Sequence, residues 1–212
     1  MRINIVIDNP DSWFYTYKDR LVKNIRSMGN ACVCYSSGKQ VPSKSDITFF
    51  LSCEEYVGKK VRDKSRYNIV VHASDLPKGK GMSPSTWQIL EGKHTIPNTL
   101  FEIAEGFDTG DYYLKENFKL DGTELKDEWQ EKLYKSTENL ILTFLKRIKG
   151  IKPIKQQGRS TIYKRRGPDD SEVDINKSIK DQFNLFRVVD NEQYPAHFKH
   201  KGQTYIIKIY KK

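Results

Sequence analysis

The sequence is short of cysteine and histidine and has no long apolar run, and each shortage removes a class of protein. Its three cysteines, Cys32, Cys34 and Cys53, are odd in number and lack a Cys-x-x-Cys spacing. Neither a disulfide framework nor a closed zinc site is expected, and no metal is called for. Cys32 and Cys34 alternate on an apparent strand, so they share a face and read as buried reduced thiols. No apolar stretch reaches the ~18–20 residues of a membrane span. Residues 3–7 (Ile-Asn-Ile-Val-Ile) are too short for a secretory apolar region, and Asp8-Asn9-Pro10 follows directly. A cytoplasmic protein with no membrane partner is the expectation. There is no internal repeat.

What is present suffices for a packed core. Of 212 residues, 37% are apolar, enough for one domain, or for one with a small appendage. The net charge of +10 fits nucleic acid or an anionic small substrate such as a nucleotide-linked sugar. Lysines are spread along the chain, however, and only 146–166 is locally dense in Lys and Arg. Diffuse basicity is usually a solvated surface, so charge alone decides little.

The pattern of residues predicts an open α/β sheet. Residues 2–7 are rich in Ile and Val, as a buried parallel strand is. Leu21, Val22, Ile25 and Met28 have helical spacing within 16–28, and Gly29-Asn30 stops that helix. Ala31–Tyr35, Asp46–Leu51 and Asn68–Val71 read as further strands. In such sheets ligands sit at the carboxyl ends of the strands, where Asp8-Asn9, Ser52-Cys53 and His72 fall. Pro84–Gly92 reads as a short helix, 98–104 and 111–120 as two strands, and about 125–149 as a long amphipathic helix. That helix buries Leu133, Leu140, Ile141, Phe144, Leu145 and Ile148. Residues 150–174 lose periodicity and read as a linker or binding loop. A helix over about 175–189 and a hairpin through Lys201-Gly202 complete a small C-terminal α+β unit. The expected division is therefore 1–150 and 151–212.

Two segments carry chemistry. The first is 71–84, Val-His-Ala-Ser-Asp-Leu-Pro-Lys-Gly-Lys-Gly-Met-Ser-Pro; the second is 105–113, Glu-Gly-Phe-Asp-Thr-Gly-Asp-Tyr-Tyr. Together they resemble the formyltransferases that use 10-formyltetrahydrofolate, which have a Rossmann-like, mostly parallel sheet. These enzymes act on methionyl-tRNA, glycinamide ribonucleotide or amino sugars. The family pattern is Asn-x-His at a strand end, a Ser-Leu-Leu-Pro-x-x-Arg-Gly-type loop, then Asp-x-Gly. The resemblance maps these onto His72, Ser74–Gly81 and Asp108, in order and at matching spacing. The family Asn is Val70 here, and Asn68 lies ~6–7 Å further back along an extended strand.

The resemblance implies that His72 and Asp108 are catalytic. Formyl transfer between amines passes through a tetrahedral oxyanion while the attacking amine loses a proton. An imidazole paired with a carboxylate can hold that proton and supply a donor. Asp111 is the alternative carboxylate, and Gly110 is expected to give the chain the freedom to turn. Cofactor contacts are expected from Leu51, Ser52 and Cys53, whose backbone occupies the family's pterin-cradling position, and from Ser74 and Asp111. Substrate contacts are expected from Trp13, Lys78 and Arg166. Trp13 reads equally as a core aromatic, and the 51–54 segment as an ordinary turn.

The formyl acceptor follows from the resemblance of Tyr163–Ser171, Phe183–Arg187 and Tyr194–Ala196 to the sugar-formylating branch. That branch implies an amine on a nucleotide-linked sugar, a 4-amino-4,6-dideoxyhexose in particular, bound for a surface glycan. Asn184 and Arg187, one helical turn apart, read as substrate contacts or polar core contacts. Methionyl-tRNA is the rival acceptor, although the residues after 150 leave little room for the five-stranded barrel of the tRNA enzymes; nucleic acid is not the expected partner. A non-catalytic folate- or nucleotide-binding protein is the third reading, raised by Val70. Thr204–Tyr210 alternates well enough to pair with a second subunit in a homodimer, or to finish the chain's own sheet.

Overall fold

A computed structural model describes residues 1–212, and the predicted alternation is there. β1 (Arg2–Val6) leads through a 3-10 turn (Trp13–Tyr17) to α1 (Lys18–Ser27), β2 (Ala31–Tyr35), β3 (Ser45–Phe50) and α2 (Lys59–Arg62). Then come β4 (Ser65–His72), the two-residue β5 (Lys80–Gly81), α3 (Pro84–Leu90), β6 (Thr95–Glu102), β7 (Tyr112–Lys119) and α4 (Lys126–Arg147). The C-terminal part holds β8 (Ile162–Tyr163), α5 (Phe183–Val188), β9 (Ala196–His200) and β10 (Gln203–Ile207).

Six strands form one sheet in the order β2-β1-β3-β4-β6-β7. The first four are mutually parallel, and β6 and β7 run antiparallel to their neighbours. The chain steps from β1 to β2 on one side and returns to β3 on the other, so the strand order reverses between β1 and β3. In open α/β sheets ligands bind at the carboxyl ends of the strands beside such a point. Asp8 and the 51–55 turn lie there, with the end of β4 next along the sheet.

Strand periodicity sorts the side chains. Ile3, Ile5, Ile47, Phe49, Leu51 and Ile69 pack on one face with Leu21 and Ile25 of α1 and Leu140, Ile141 and Phe144 of α4. Residues offset by one, including Val6, Phe50 and Val70, face the other way and form a smaller cluster with Val41, Val57 and Val61. His72 follows Val70 by two residues and so belongs to this second face. Cys32 and Cys34 share a face as expected, both packing into the larger cluster.

The predicted helix over 175–189 is shortened to Phe183–Val188. Side chains upstream bond the backbone instead of leaving it to a helix: Asp174 accepts from the Asn176 amide (3.0 Å), and Gln182 donates to the Asp174 and Lys177 carbonyls. β9 and β10 pair with each other in a separate two-stranded sheet, and His197 of β9 also bridges to Glu172. Residues 150–166 thread back along the larger unit. Ile154 exchanges two backbone hydrogen bonds with Tyr112 on β7, and β8 pairs in parallel with β5.

α5 docks through a buried ion pair. Arg187, 1% exposed, donates to the Glu124 carboxylate (3.1 Å) and carbonyl (3.2 Å) and to Asn184 Oδ1 (2.9 Å), and its own carbonyl accepts from Trp129 Nε1. Burial alone would raise the Glu124 pKa. Lys132 and the Asp121 and Gly122 amides overcome it and hold the carboxyl down at about 2. Of the two roles open to Asn184 and Arg187, the structure selects polar core contacts.

Candidate active site

β4 delivers His72 to the edge of the 73–81 loop, which turns back over it. The His72 Nε2 lies 2.8 Å from the Gly79 carbonyl, an acceptor, so this nitrogen carries the proton and donates. Nδ1 has no partner within the protein. Gly79 adopts φ +70, and a Cβ there would stand 2.9 Å from the Tyr163 ring and 3.0 Å from Ser74 Cβ. Only glycine satisfies both the backbone and the space.

Asp108 arrives from the loop joining β6 to β7. Its Oδ2 accepts from the Gly81 amide (2.9 Å) and stands 3.8 Å from His72 Nε2. The two side chains are 18% and 10% exposed, so little solvent reaches the space between them. Asp111, the alternative carboxylate, makes no side-chain hydrogen bond or ion pair with His72; its carbonyl accepts from the Glu102 amide at the base of the loop. The turn differs from expectation in its mechanics. Gly110 does not supply the unusual backbone angle; Gly106 (φ +91) and Asp108 itself (φ +51) do. Gly110 is required because a Cβ there would lie 1.6 Å from the Glu102 carbonyl oxygen. Its contribution is close approach.

Glu102, at the base of this loop, accepts from the Asn68 amide (2.7 Å) and the Tyr113 hydroxyl (3.2 Å). Burial outweighs both bonds and pushes its carboxyl up to about 7 from the usual 4.5. A carboxyl that binds its proton more tightly in the folded chain stabilises the fold below the unfolded pKa and loses that contribution as pH rises through the folded one. Unfolding free energy should therefore fall as pH rises from about 4.5 to about 7, and Glu102→Gln should remove that component. Denaturant melts of both proteins across this range check it; superimposable pH profiles would contradict it.

The other expected residues are distributed as follows. Leu51 is buried in the main cluster on the opposite sheet face, so its side chain is core and only its backbone borders the turn. Ser52 is exposed at φ +53. Cys53 donates its thiol to the Val6 carbonyl (3.0 Å), and burial drives its pKa far up, so it is no nucleophile. The 51–55 turn is pinned by Asp8, whose Oδ2 accepts from the Glu54 (2.8 Å) and Glu55 (2.6 Å) amides. Ser74 is 1% exposed with a hydroxyl lacking any partner; it lies under the loop beside Gly79, out of a ligand's direct reach. Trp13 wedges between two apolar clusters with its edge toward Phe14 and Tyr17, as a core aromatic does. Lys78 is exposed and unpaired. Arg166 is half-buried over the Trp87 ring, donates to the Asp170 carbonyl (2.7 Å) and leaves its Nε without a partner. Trp87 stacks on Tyr163, whose backbone pairs with Gly81.

Val70 packs among Val6, Phe50, Val57, Val61 and Ile103 and offers no polar donor. Asn68 does not replace the missing amide, because its Nδ2 is committed to the Arg62 (3.0 Å) and Ser65 (3.4 Å) carbonyls. Two residues that no sequence pattern marks bear on the pair. Gln156 donates to the Asp108 and Gly110 carbonyls, and Thr161 Oγ1 accepts from the Gly79 amide. Both lie in the aperiodic 150–174 stretch, where no spacing signals a role.

Comparison with known proteins finds formyltransferases. Residues 42–145 match the formyl transferase family. The methionyl-tRNA formyltransferase of Clostridium botulinum is 30% identical over 172 residues, 78% of this chain and 54% of its own length. The chain spans about half the length of the curated relatives it matches. Among solved structures, a methionyl-tRNA formyltransferase from Clostridium thermocellum superposes with a TM-score of 0.79 at 21% identity, covering 98% of this chain and 92% of that one. A 4-N formyltransferase from Francisella tularensis gives 0.69 at 17% identity, with 98% and 96% covered. At such identities the likeness establishes the fold.

Proposed function

The chain carries a domain of the formyl transferase family across residues 42–145, and from that premise we propose that it transfers a formyl group from 10-formyltetrahydrofolate to the amine of a nucleotide-linked amino sugar, with 4-amino-4,6-dideoxyhexoses the first acceptors to test. The observation that carries the chemistry is the 3.8 Å approach of Asp108, on the loop between β6 and β7, to His72 at the end of β4.

The reaction joins the acceptor nitrogen to the formyl carbon, passes through an oxyanion, and releases the folate N10 with a proton. With Nε2–H fixed on the Gly79 carbonyl, Nδ1 of His72 is the lone-pair nitrogen that accepts the proton of the attacking amine. The imidazolium so formed stands beside the Asp108 carboxylate, which offsets its charge. Its Nδ1–H is then the donor for the oxyanion or for the departing N10. Because Val70 is apolar and Asn68 is occupied, His72 bears more of the oxyanion than in a site with a neighbouring amide. Ser52, Cys53 and the rest of the turn pinned by Asp8 border the folate through backbone groups. Asp111 and Lys78 are free to meet the ends of the substrates.

The sugar reading draws support from Arg166, Trp87 and Tyr163. A half-buried cation with an orphaned Nε and two stacked rings adjoin the loop that holds His72, a chemistry that suits a nucleotide and its phosphates. A second reading, methionyl-tRNA as acceptor, has its own observation. Lys146, Arg147, Lys149, Lys152, Lys155 and Arg159 are all exposed and in no ion pair, and the 30%-identical relative is a methionyl-tRNA formyltransferase. An assay with 10-formyltetrahydrofolate against nucleotide-linked 4-amino sugars and charged initiator tRNA separates them. Formylated sugar is the expected product. Turnover of the tRNA alone, falling steeply with salt, would establish the second reading. Folate binding with no turnover of either would leave a non-catalytic folate-binding protein.

A further inference from the structure

The segment Ile154–Tyr163 grips both halves of the His72–Asp108 pair. On one side, Gln156 Nε2 donates to the Asp108 carbonyl (2.9 Å) and the Gly110 carbonyl (2.8 Å). Both carbonyls converge on a single amide, so the side chain has one usable orientation: reversed, its oxygen would face two acceptors. In that orientation Oε1 is buried without a partner, a cost the site carries to keep the donors in place. On the other side, Thr161 accepts the Gly79 amide on Oγ1 (2.8 Å) and the Lys80 amide on its carbonyl (2.9 Å). Gly79 is the residue whose carbonyl fixes His72 Nε2. The segment itself is anchored on β7 through Ile154 and Tyr112.

Asp108 needs such a hold. At φ +51 it occupies the left-handed region, which a non-glycine residue keeps only when its surroundings impose it. Its carboxylate is bound by the Gly81 amide alone, and the loop on either side is exposed, with Phe107 80% exposed. Gln156 supplies the two bonds that fix the backbone from which the carboxylate projects.

We propose that Gln156 is a positioning residue, and that through it and Thr161 the 154–163 segment sets the separation of Asp108 from His72. The proposal rests on the reading that this pair carries formyl transfer, but its structural half can be measured without turnover. The Gly81 amide, bonded to Asp108 Oδ2, reports where the carboxylate is. In Gln156→Ala and in the near-isosteric Gln156→Glu, which keeps the volume and loses the donors at neutral pH, Gly81 hydrogen exchange should accelerate about tenfold or more, while the Ile5 and Ile69 amides of the central strands keep their protection. In the same variants kcat should fall about tenfold or more with KM for both substrates within about twofold. An unchanged Gly81 rate in both variants overturns the proposal. So does equal acceleration at Gly81, Ile5 and Ile69, which marks general destabilisation, or a raised KM at unchanged kcat. A Gly81 response in a protein that formylates no amine upholds the positioning and sinks the formyl-transfer reading alone.

Discussion

His72→Ala should lower kcat for formyl transfer by about a thousandfold, within the 10²–10⁴ that a positioned acid–base group supplies, with tetrahydrofolate affinity little changed. The size follows from how much falls on one ring. In the proposed reaction His72 takes the proton through Nδ1, and no amide donor stands two residues before it, since Val70 is packed in the apolar cluster and Asn68 is bonded to Arg62 and Ser65. Asp108→Asn should cost less, about ten- to a hundredfold: asparagine keeps an acceptor for the Gly81 amide but withdraws the charge that offsets the imidazolium. Steady-state kinetics with a calorimetric folate titration check both. Full activity in His72→Ala would remove the site from consideration.

Arg187→Met should destabilise the fold by about 3–5 kcal/mol, the usual cost of stripping one partner from a buried ion pair. For a chain of this length that is a fall in Tm of roughly 6–20 °C. Methionine preserves much of the arginine's length and apolar stem, so packing changes least. What is lost are the bonds to the Glu124 carboxylate and carbonyl and to Asn184. Glu124 stays 3% exposed with only Lys132 and backbone amides to hold it. Adding Glu124→Leu should restore part of the loss, because it removes a buried carboxylate that has lost one of its two cationic partners. Thermal melts of the single and double variants test this; a double variant no more stable than the single would contradict it. Glu124, held by Lys132 and the Asp121 and Gly122 amides, also sets an acid limit. A carboxyl held at about 2 against the usual 4.5 contributes stability above the unfolded value, and that contribution is lost as pH falls from about 4.5 toward 2.

The legibility of the fold follows the range of the signal. Local patterning marks Ala31–Tyr35 to the residue and α4 to within two at either end, because apolar spacing is a local record of what each element buries. Reading failed over 175–182, where Asp174 and Gln182 bond the backbone; side-chain competition of that kind leaves no periodic trace. Within the site, His72 and Asp108 were marked by two short motifs. Gly110's need for a bare Cα comes from the Glu102 carbonyl and not from its own torsion, which no motif records.

By itself, then, the sequence determined the strand–helix alternation, the strand end where His72 sits, and the acid offered to it. Tertiary structure brought Asp108, and not Asp111, to 3.8 Å from the imidazole. It also turned Leu51 to the far face, buried Ser74 beneath the loop, spent Arg187 on Glu124, and recruited Gln156. The physical reason is separation. The bonds that fix the pair join residues 27, 48 and 82 positions apart, and no local pattern of apolar spacing or turn chemistry carries information over such distances; it exists only once the sheet has packed and its loops meet above it.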